Sequence, residues 1–254
     1  MAIIVKSSEQ IELMRQSNHI VARTHELLER NIRAGITTKE LNAIADEYIR
    51  SQGAIPSFLG YMGSSTTGFP GSICVSVNEE VIHGVPGLKK LRDGDIVSID
   101  IGALKNGYHG DAARTFEVGA VSEARKRLIK TTQKCFFNAI EYARPGRHLH
   151  EICAAIQETA EAAGYSVVRD FIGHGVGKQM HEEPQIPNYK QAGRGPRLYK
   201  GMTLAIEPMV NEGTYEVLIL KDRWTVVTRD RKCSAHYENT VAVTDGAPDI
   251  LSIC

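Results

Sequence analysis

The chain repeats itself, and that repeat limits what it can fold into. The offset that carries Arg33 onto Arg144 also carries Gly35 onto Gly146, Glu40 onto Glu151, Leu41 onto Ile152 and Gly53 onto Gly164. Chance in helix punctuation accounts for two such matches, but hardly for five in register. Each set lies in a pair of expected helices. Ser7 with Gln10, and Thr37 with Glu40, are spaced as capping boxes. Leu13/Met14, Ile20/Val21 and Leu27/Leu28 return every seven residues as one buried stripe, and Leu41, Ile44, Ala45 and Tyr48 form the apolar face of a second helix. Gly35 is expected to stop the first helix and Gly53 to end the second in a left-handed cap. In the second half a helix from Ser122 to about Ala143 is followed by one from about Leu149 to Gly164.

The strands repeat too. Leu91–Asp100 superposes on Leu198–Glu207, each with a turn glycine (Gly94, Gly201) and an extended run ending on a carboxylate. Alternation puts Val97 and Ile99, like Leu204 and Ile206, on one face and Asp100 and Glu207 on the other. Two such halves, roughly 1–120 and 121–254, would bring the acids together across a pseudo-twofold axis. The expected fold is α+β, a curved, mainly antiparallel sheet backed by helices. No linker divides the halves, so 1–254 is expected to be a single domain, with Ser64–Pro70 as a flexible surface loop.

Composition narrows the function. With 42% hydrophobic residues, 254 residues can bury one large core or two small ones. Thirty basic and thirty acidic side chains cancel, so no long-range field draws the protein to DNA or an anionic membrane. The apolar run Ala2–Val5 is too short for a signal-peptide core, and no later run approaches a membrane span. Five cysteines without a C-x-x-C pair fit a reducing, cytoplasmic setting.

Five side chains carry the chemistry. In Phe171–Pro184, His174 is wrapped by Gly173, Gly175 and Gly177, which suits presentation of an imidazole from a cramped loop. Alone, this reads equally well as a glycine-rich turn around a buried histidine. Asp111 shares a strand face with Ala113 and Thr115, and Glu238 with Thr240 and Ala242, small neighbours that leave room for ions. Any one of these acids is best read as a surface strand end. Gathered in one cleft, Asp100, Asp111, Glu207 and Glu238 would repel one another strongly enough to force protonation. Two divalent ions relieve that, with Asp111 and Glu238 as bridges and His174 as the nitrogen ligand. Four carboxylates and an imidazole without thiolate favour Mn, Fe, Co or catalytic Zn. Such a pair, spaced ~3.5–4 Å, can hold a shared hydroxide as nucleophile.

A set of motifs then coincides with a known family. They are Asn78–Pro86 (with His83), Ser98–Gly102, Gly110–Thr115, Gly173–Gly177, Met180–Pro184, Ala205–Pro208 and Tyr237–Thr240. Together they resemble type I methionine aminopeptidase, a pita-bread metallohydrolase, over about Ile4 to Asp245. The resemblance implies removal of the initiator methionine from new proteins, preferring a small second residue. It implies Asp100, Asp111 and Glu238 on one metal and Asp111, His174, Glu207 and Glu238 on the other. Glu207 would also shuttle protons, His181 would stabilise the oxyanion, and His83 would hold the amide nitrogen beside the scissile bond. By position, Tyr61, Phe69, Cys74 and Trp224 would form the methionine sleeve. Backbone carbonyls of Asn78, Glu80 and Ser234 match a monovalent-cation site.

The sequence departs from the family pattern at Phe58, often cysteine, and at Met180, commonly aromatic, and Ser64–Gly68 lengthens one pocket wall. His109 and His236 share strand faces with Asp111 and Glu238 and could hydrogen-bond to the metal ligands and orient them, although solvent-facing positions are the better expectation. The G-x-G-x-G run lacks dinucleotide-binding spacing and is rejected as a phosphate loop. Lys190, Arg194, Arg197 and Lys200 could touch ribosomal RNA; a solvated loop is the preferred reading. The expected partners are peptide or nascent-chain N-termini and, transiently, the ribosome, and the protein is expected to be a monomer. A proline-directed aminopeptidase of the same fold and a non-enzymatic binding protein are the alternatives.

Overall fold

The helix caps act as the local chemistry dictates. In a computed structural model, which describes residues 2–63 and 67–254, α1 (Ser8–Glu29) and α2 (Thr38–Ser51) both open on complete capping boxes. Ser7 Oγ accepts the Gln10 amide while the Gln10 side chain accepts the Ser7 amide, and Thr37 and Glu40 do the same. Gly35 does not stop α1. The helix ends at Glu29, and Gly35, at φ +91°, instead turns the chain toward α2 and donates its N–H to the Leu91 carbonyl at 2.8 Å. In the second half, α3 (Glu123–Ile140) and α4 (Leu149–Ala162) repeat the pair. Gly53 and Gly164 follow α2 and α4 at φ +68° and +84°, the left-handed conformation expected of such punctuation.

Each helix pair backs a sheet. In the first half the Ile96–Lys105 strand pairs antiparallel with Tyr108–Glu117 along its whole length, from Ile96 opposite Glu117 to Lys105 opposite Tyr108. Its other edge takes Cys74–Val77, which sets Cys74 opposite Asp100. Val97, Ile99, Ile101 and Ala103 pack onto Val21, Leu28, Leu41 and Ile49 of α1 and α2. In the second half Thr203–Ile206 lies between Asn239–Ala242 and Gly173–Gly175, with Glu182–Ile186 and Asp249–Ile250 at the two edges. Leu204 and Ile206 pack onto Phe136, Ile152 and Ile156 of α3 and α4. In both halves the apolar face goes to the helices, and the carboxylate-bearing face is left for the cleft.

Two three-stranded sheets complete the fold: Ser166–Val167, Met209–Asn211 and Ser234–His236, and Glu80–Ile82, Val226–Thr228 and Val217–Ile219. The halves are joined along Tyr108–Glu117, where Thr115 Oγ1 donates to the His236 carbonyl at 2.8 Å and Thr240 Oγ1 to the Asp111 carbonyl at 2.9 Å. Among the described residues no helix is long and apolar enough to cross a membrane. Three residues of the Ser64–Pro70 loop, 64–66, lie outside the described residues, and with them that part of the expected pocket wall.

Candidate active site

Strand alternation delivers the acids. Asp100 lies opposite to the face on which Ile99 and Ile101 are buried, and its cross-strand partner is Ala113, whose small side chain leaves the space above the sheet open. Asp111 comes from the neighbouring strand, Glu207 from the end of Thr203–Ile206, and Glu238 from the link between the Ser234–His236 and Asn239–Ala242 strands. His174 does not sit on a cramped loop. It is the middle residue of Gly173–Gly175, a strand held between Thr203–Ile206 and Glu182–Ile186. Its glycines are needed for close approach, since a Cβ on Gly173 would lie 2.5 Å from the Ala205 carbonyl oxygen and one on Gly175 would strike the Glu183 carbonyl oxygen.

These side chains converge. Ligand atoms of Asp111, His174 and Glu238 all lie within 4.8 Å of one another. His174 Nε2 is 3.7 Å from Asp111 Oδ2 and 3.6 Å from Glu207 Oε1. Its Nδ1 is 2.9 Å from the Gly175 carbonyl, to which it donates. That bond sets the tautomer and turns the Nε2 lone pair toward the acids. Asp100 Oδ1, Asp111 Oδ1 and Glu238 Oε1 are buried with no hydrogen-bond partner among the described residues.

Such an arrangement is costly without cations. Burial pushes Asp100 up to about 7. Burial and the neighbouring carboxylates raise Asp111, Glu207 and Glu238 well above the ordinary range. Burial, then the nearby His181 ring, lowers His174 to about 3, so it is neutral at pH 7 and free to ligate. Orphaned oxygens around a neutral imidazole fit divalent metal ions.

The remaining predicted residues line the same cavity of about 220 Å³. Asp100, Asp111, His174, Glu207 and Glu238 form its polar floor, and Tyr61, Phe69, Cys74 and Trp224 its apolar wall. Phe69 meets Trp224 edge-on, with ring centroids 5.3 Å apart. The departures Phe58 and Met180 also line it, packed over Gly102, where no Cβ would fit between them. His181 is exposed at the mouth, its ring centroid 4.2 Å from that of His174, and its Nδ1 is 2.8 Å from the Tyr61 hydroxyl. His83 adopts φ +56°, a left-handed conformation rare outside glycine, and stands edge-on to Phe171 and Trp224. Burial, then His181, lowers it to about 4. Asn78, Glu80 and Ser234 fall in one corner outside this cavity, where the Ser234 amide donates to the Asn78 carbonyl at 2.9 Å.

Sequence reading misplaced two histidines. His236 is buried rather than solvent-facing, and its Nε2 is 3.9 Å from Glu207 Oε2, because closure of the two halves roofs that strand face. His109 is half-buried and bonded through Nδ1 to Ser57 Oγ at 2.9 Å. The signal was their two-residue spacing from Asp111 and Glu238, which places them on the same faces. Also missed was the buried ion pair of Lys6 with Glu182 at 2.6 Å, whose partners are 176 residues apart. Lys190, Arg194, Arg197 and Lys200 are exposed, in keeping with the solvated-loop reading.

The family model of metallopeptidase family M24 matches residues 12–245. The chain is 52% identical over 253 residues to a methionine aminopeptidase of Clostridium acetobutylicum, covering 99% of each chain. The chain belongs to the methionine aminopeptidase branch of metallopeptidase family M24. It is also 52% identical over 250 residues to methionine aminopeptidase 1 of Bacillus subtilis, covering 98% of this chain and 99% of the relative. The crystal structure of a methionine aminopeptidase from Thermotoga maritima superposes with a TM-score of 0.95 at 41% identity, covering 100% of both chains. The duplicated helix pairs and joined sheets described above are thus the pita-bread fold.

Proposed function

We propose that this chain is a metal-dependent aminopeptidase that removes the N-terminal methionine from peptides and newly made proteins. The observation that carries the reading is the cluster of Asp111, His174 and Glu238 at the floor of an apolar-walled cavity. Asp100, Asp111 and Glu238 would hold one ion, and Asp111, His174, Glu207 and Glu238 a second, each being Mn, Fe, Co or Zn. When bound, the ions supply Lewis acidity and a nucleophile drawn from water at neutral pH.

The protein's own groups do the rest. Glu207, whose buried carboxyl binds protons readily, takes one from the attacking water and passes it to the departing amine. With the Tyr61 hydroxyl, 2.8 Å from His181 Nδ1, acting as donor, Nε2 carries the proton and donates to the developing oxyanion. His83, neutral at pH 7, accepts the N–H of the amide beside the scissile bond. A preference for a small second residue goes with this reading, the close strand turn at His83 and Gly84 leaving little room beside the scissile bond. Both halves contribute to the floor, so 1–254 acts as one catalytic domain. Its place is the cytoplasm, as a monomer meeting nascent chains at the ribosome, with a monovalent cation on the Asn78, Glu80 and Ser234 carbonyls.

The test is mass-spectrometric cleavage of Met-Ala-Ser and Xaa-Pro peptides by protein stripped of metal and restored with Mn, Co, Fe or Zn in turn. Release of N-terminal methionine alone, only with metal, is expected. Cleavage before proline would replace the assignment, and silence with every metal from folded protein would reject an enzymatic one.

A further inference from the structure

The Val217–Ile219 strand is an outer strand of its sheet, and Ile219 at its end lines the catalytic cavity. Leu220 N–H donates to Thr225 O at 2.8 Å and Arg229 N–H to Glu216 O at 3.0 Å. Glu216, Leu218 and Leu220 therefore point their main-chain groups at the neighbouring strand, while Val217 and Ile219 point theirs away. Among the described residues, nothing receives or supplies a main-chain hydrogen bond on that outer side.

Proteins usually blunt such edges with charge, proline or a bulge. The outer strand Glu182–Ile186 does so with Pro184. Val217–Ile219 has none of these: Val-Leu-Ile-Leu runs uninterrupted from Glu216 to Lys221, with Leu218 44% and Ile219 60% exposed. Among the described residues the unpaired edge and the site are therefore continuous through Ile219.

We propose that this edge binds the substrate backbone beyond its second residue, adding the peptide as a further strand of the sheet. The inference rests on the aminopeptidase reading and extends it from the first two residues to those that follow. At about 3.3 Å per residue, three strand residues engage roughly three substrate residues, the third to the fifth. Main-chain pairing is indifferent to side chains, which suits an enzyme that must process many different N-termini.

The experiment compares Met-Ala-Ser with peptides of four to seven residues beginning Met-Ala-Ser, using the metal-loaded enzyme. kcat/KM should rise about tenfold to a plateau near five or six residues, the factor of one or two peptide hydrogen bonds, mostly through KM. Single N-methylation at positions three to six should abolish the gain only at alternate residues. Val217→Pro, which removes an outward N–H, should drive the ratio of hexapeptide to tripeptide efficiency toward one. The N-methyl scan on the unaltered enzyme stands if that variant does not fold. A length gain indifferent to N-methylation would overturn strand pairing in favour of side-chain contact. Equal efficiency at every length would overturn the proposal while leaving methionine removal standing. No methionine release from any peptide would overturn both.

Discussion

Ala113 and Glu238 exchange both main-chain hydrogen bonds, Glu238 donating at 2.9 Å and Ala113 at 3.3 Å, although they belong to different halves of the duplication. The Glu238 carbonyl also receives the guanidinium of Arg114, which reaches on to Asn239 Oδ1 at 2.5 Å and to the Ser252 carbonyl at 3.2 Å. The carboxylate proposed to bridge two ions is thus fixed by its backbone to the strand that bears the other bridge, Asp111.

From this follows a pair of opposed effects. Asp111→Asn and Glu238→Gln should each lower turnover by at least about 10³-fold through lost metal binding. At pH 8 each should also raise the melting temperature of the metal-free protein, because it removes a buried carboxylate crowded by its acidic neighbours. Calorimetry in chelator, beside activity in added metal, reads both; retained activity in either variant would reject the bridging assignment.

The same acids set the pH dependence of stability. Burial raises Asp100 to about 7, above its unfolded value, so its contribution is complete below the ordinary carboxylate range and is lost as pH rises toward and through 7. Asp111, Glu207 and Glu238 are raised in the same sense. Metal-free protein should therefore melt at lower temperature at pH 8 than at pH 5, by a few degrees or more, and added metal should remove that fall. A metal-free protein that gains stability between pH 5 and 8 would contradict the geometry.

Tyr61 and His181 form a simpler pair. Tyr61→Phe leaves His181 Nδ1 without the hydroxyl 2.8 Å away and frees its tautomer. kcat should fall about tenfold or more, the usual cost of removing such an orienting partner. An effect confined to KM would place the hydroxyl in methionine binding instead.

Lys6 and Glu182 are each 3% exposed at the side chain, and Glu182 Oε1 also accepts the Gln179 amide at 3.1 Å. Lys6→Met should cost about 3–5 kcal/mol in urea unfolding by leaving Glu182 charged and alone. Adding Glu182→Gln should recover much of that loss, and strict additivity would show the pair to be uncoupled.

What the sequence disclosed follows from the range of the interactions. Capping at Ser7 and Thr37 involves residues three apart, so it was legible directly. The positions of Asp100 and Glu207 were legible because alternation against buried Ile99 and Ile206 leaves one orientation for each. Where the contact is distant, the reading failed. Gly175 lies against the Glu183 carbonyl inside a sheet, and nothing local separates that from a loop. The Lys6–Glu182 pair left no local pattern at all. His236 looked exposed because its strand face is solvent until the other half covers it.

The seam also sets an order in time. A chain made from its N-terminus presents Asp100 and Asp111 early, on a hairpin that its own two helices can already cover. Thr240, which clamps the Asp111 carbonyl, lies 129 residues further on. Between those moments the first two acids stand at an unfinished edge with neither His174 nor Glu238 beside them. Capture of metal by the proposed ligand set therefore waits for the second half of the chain.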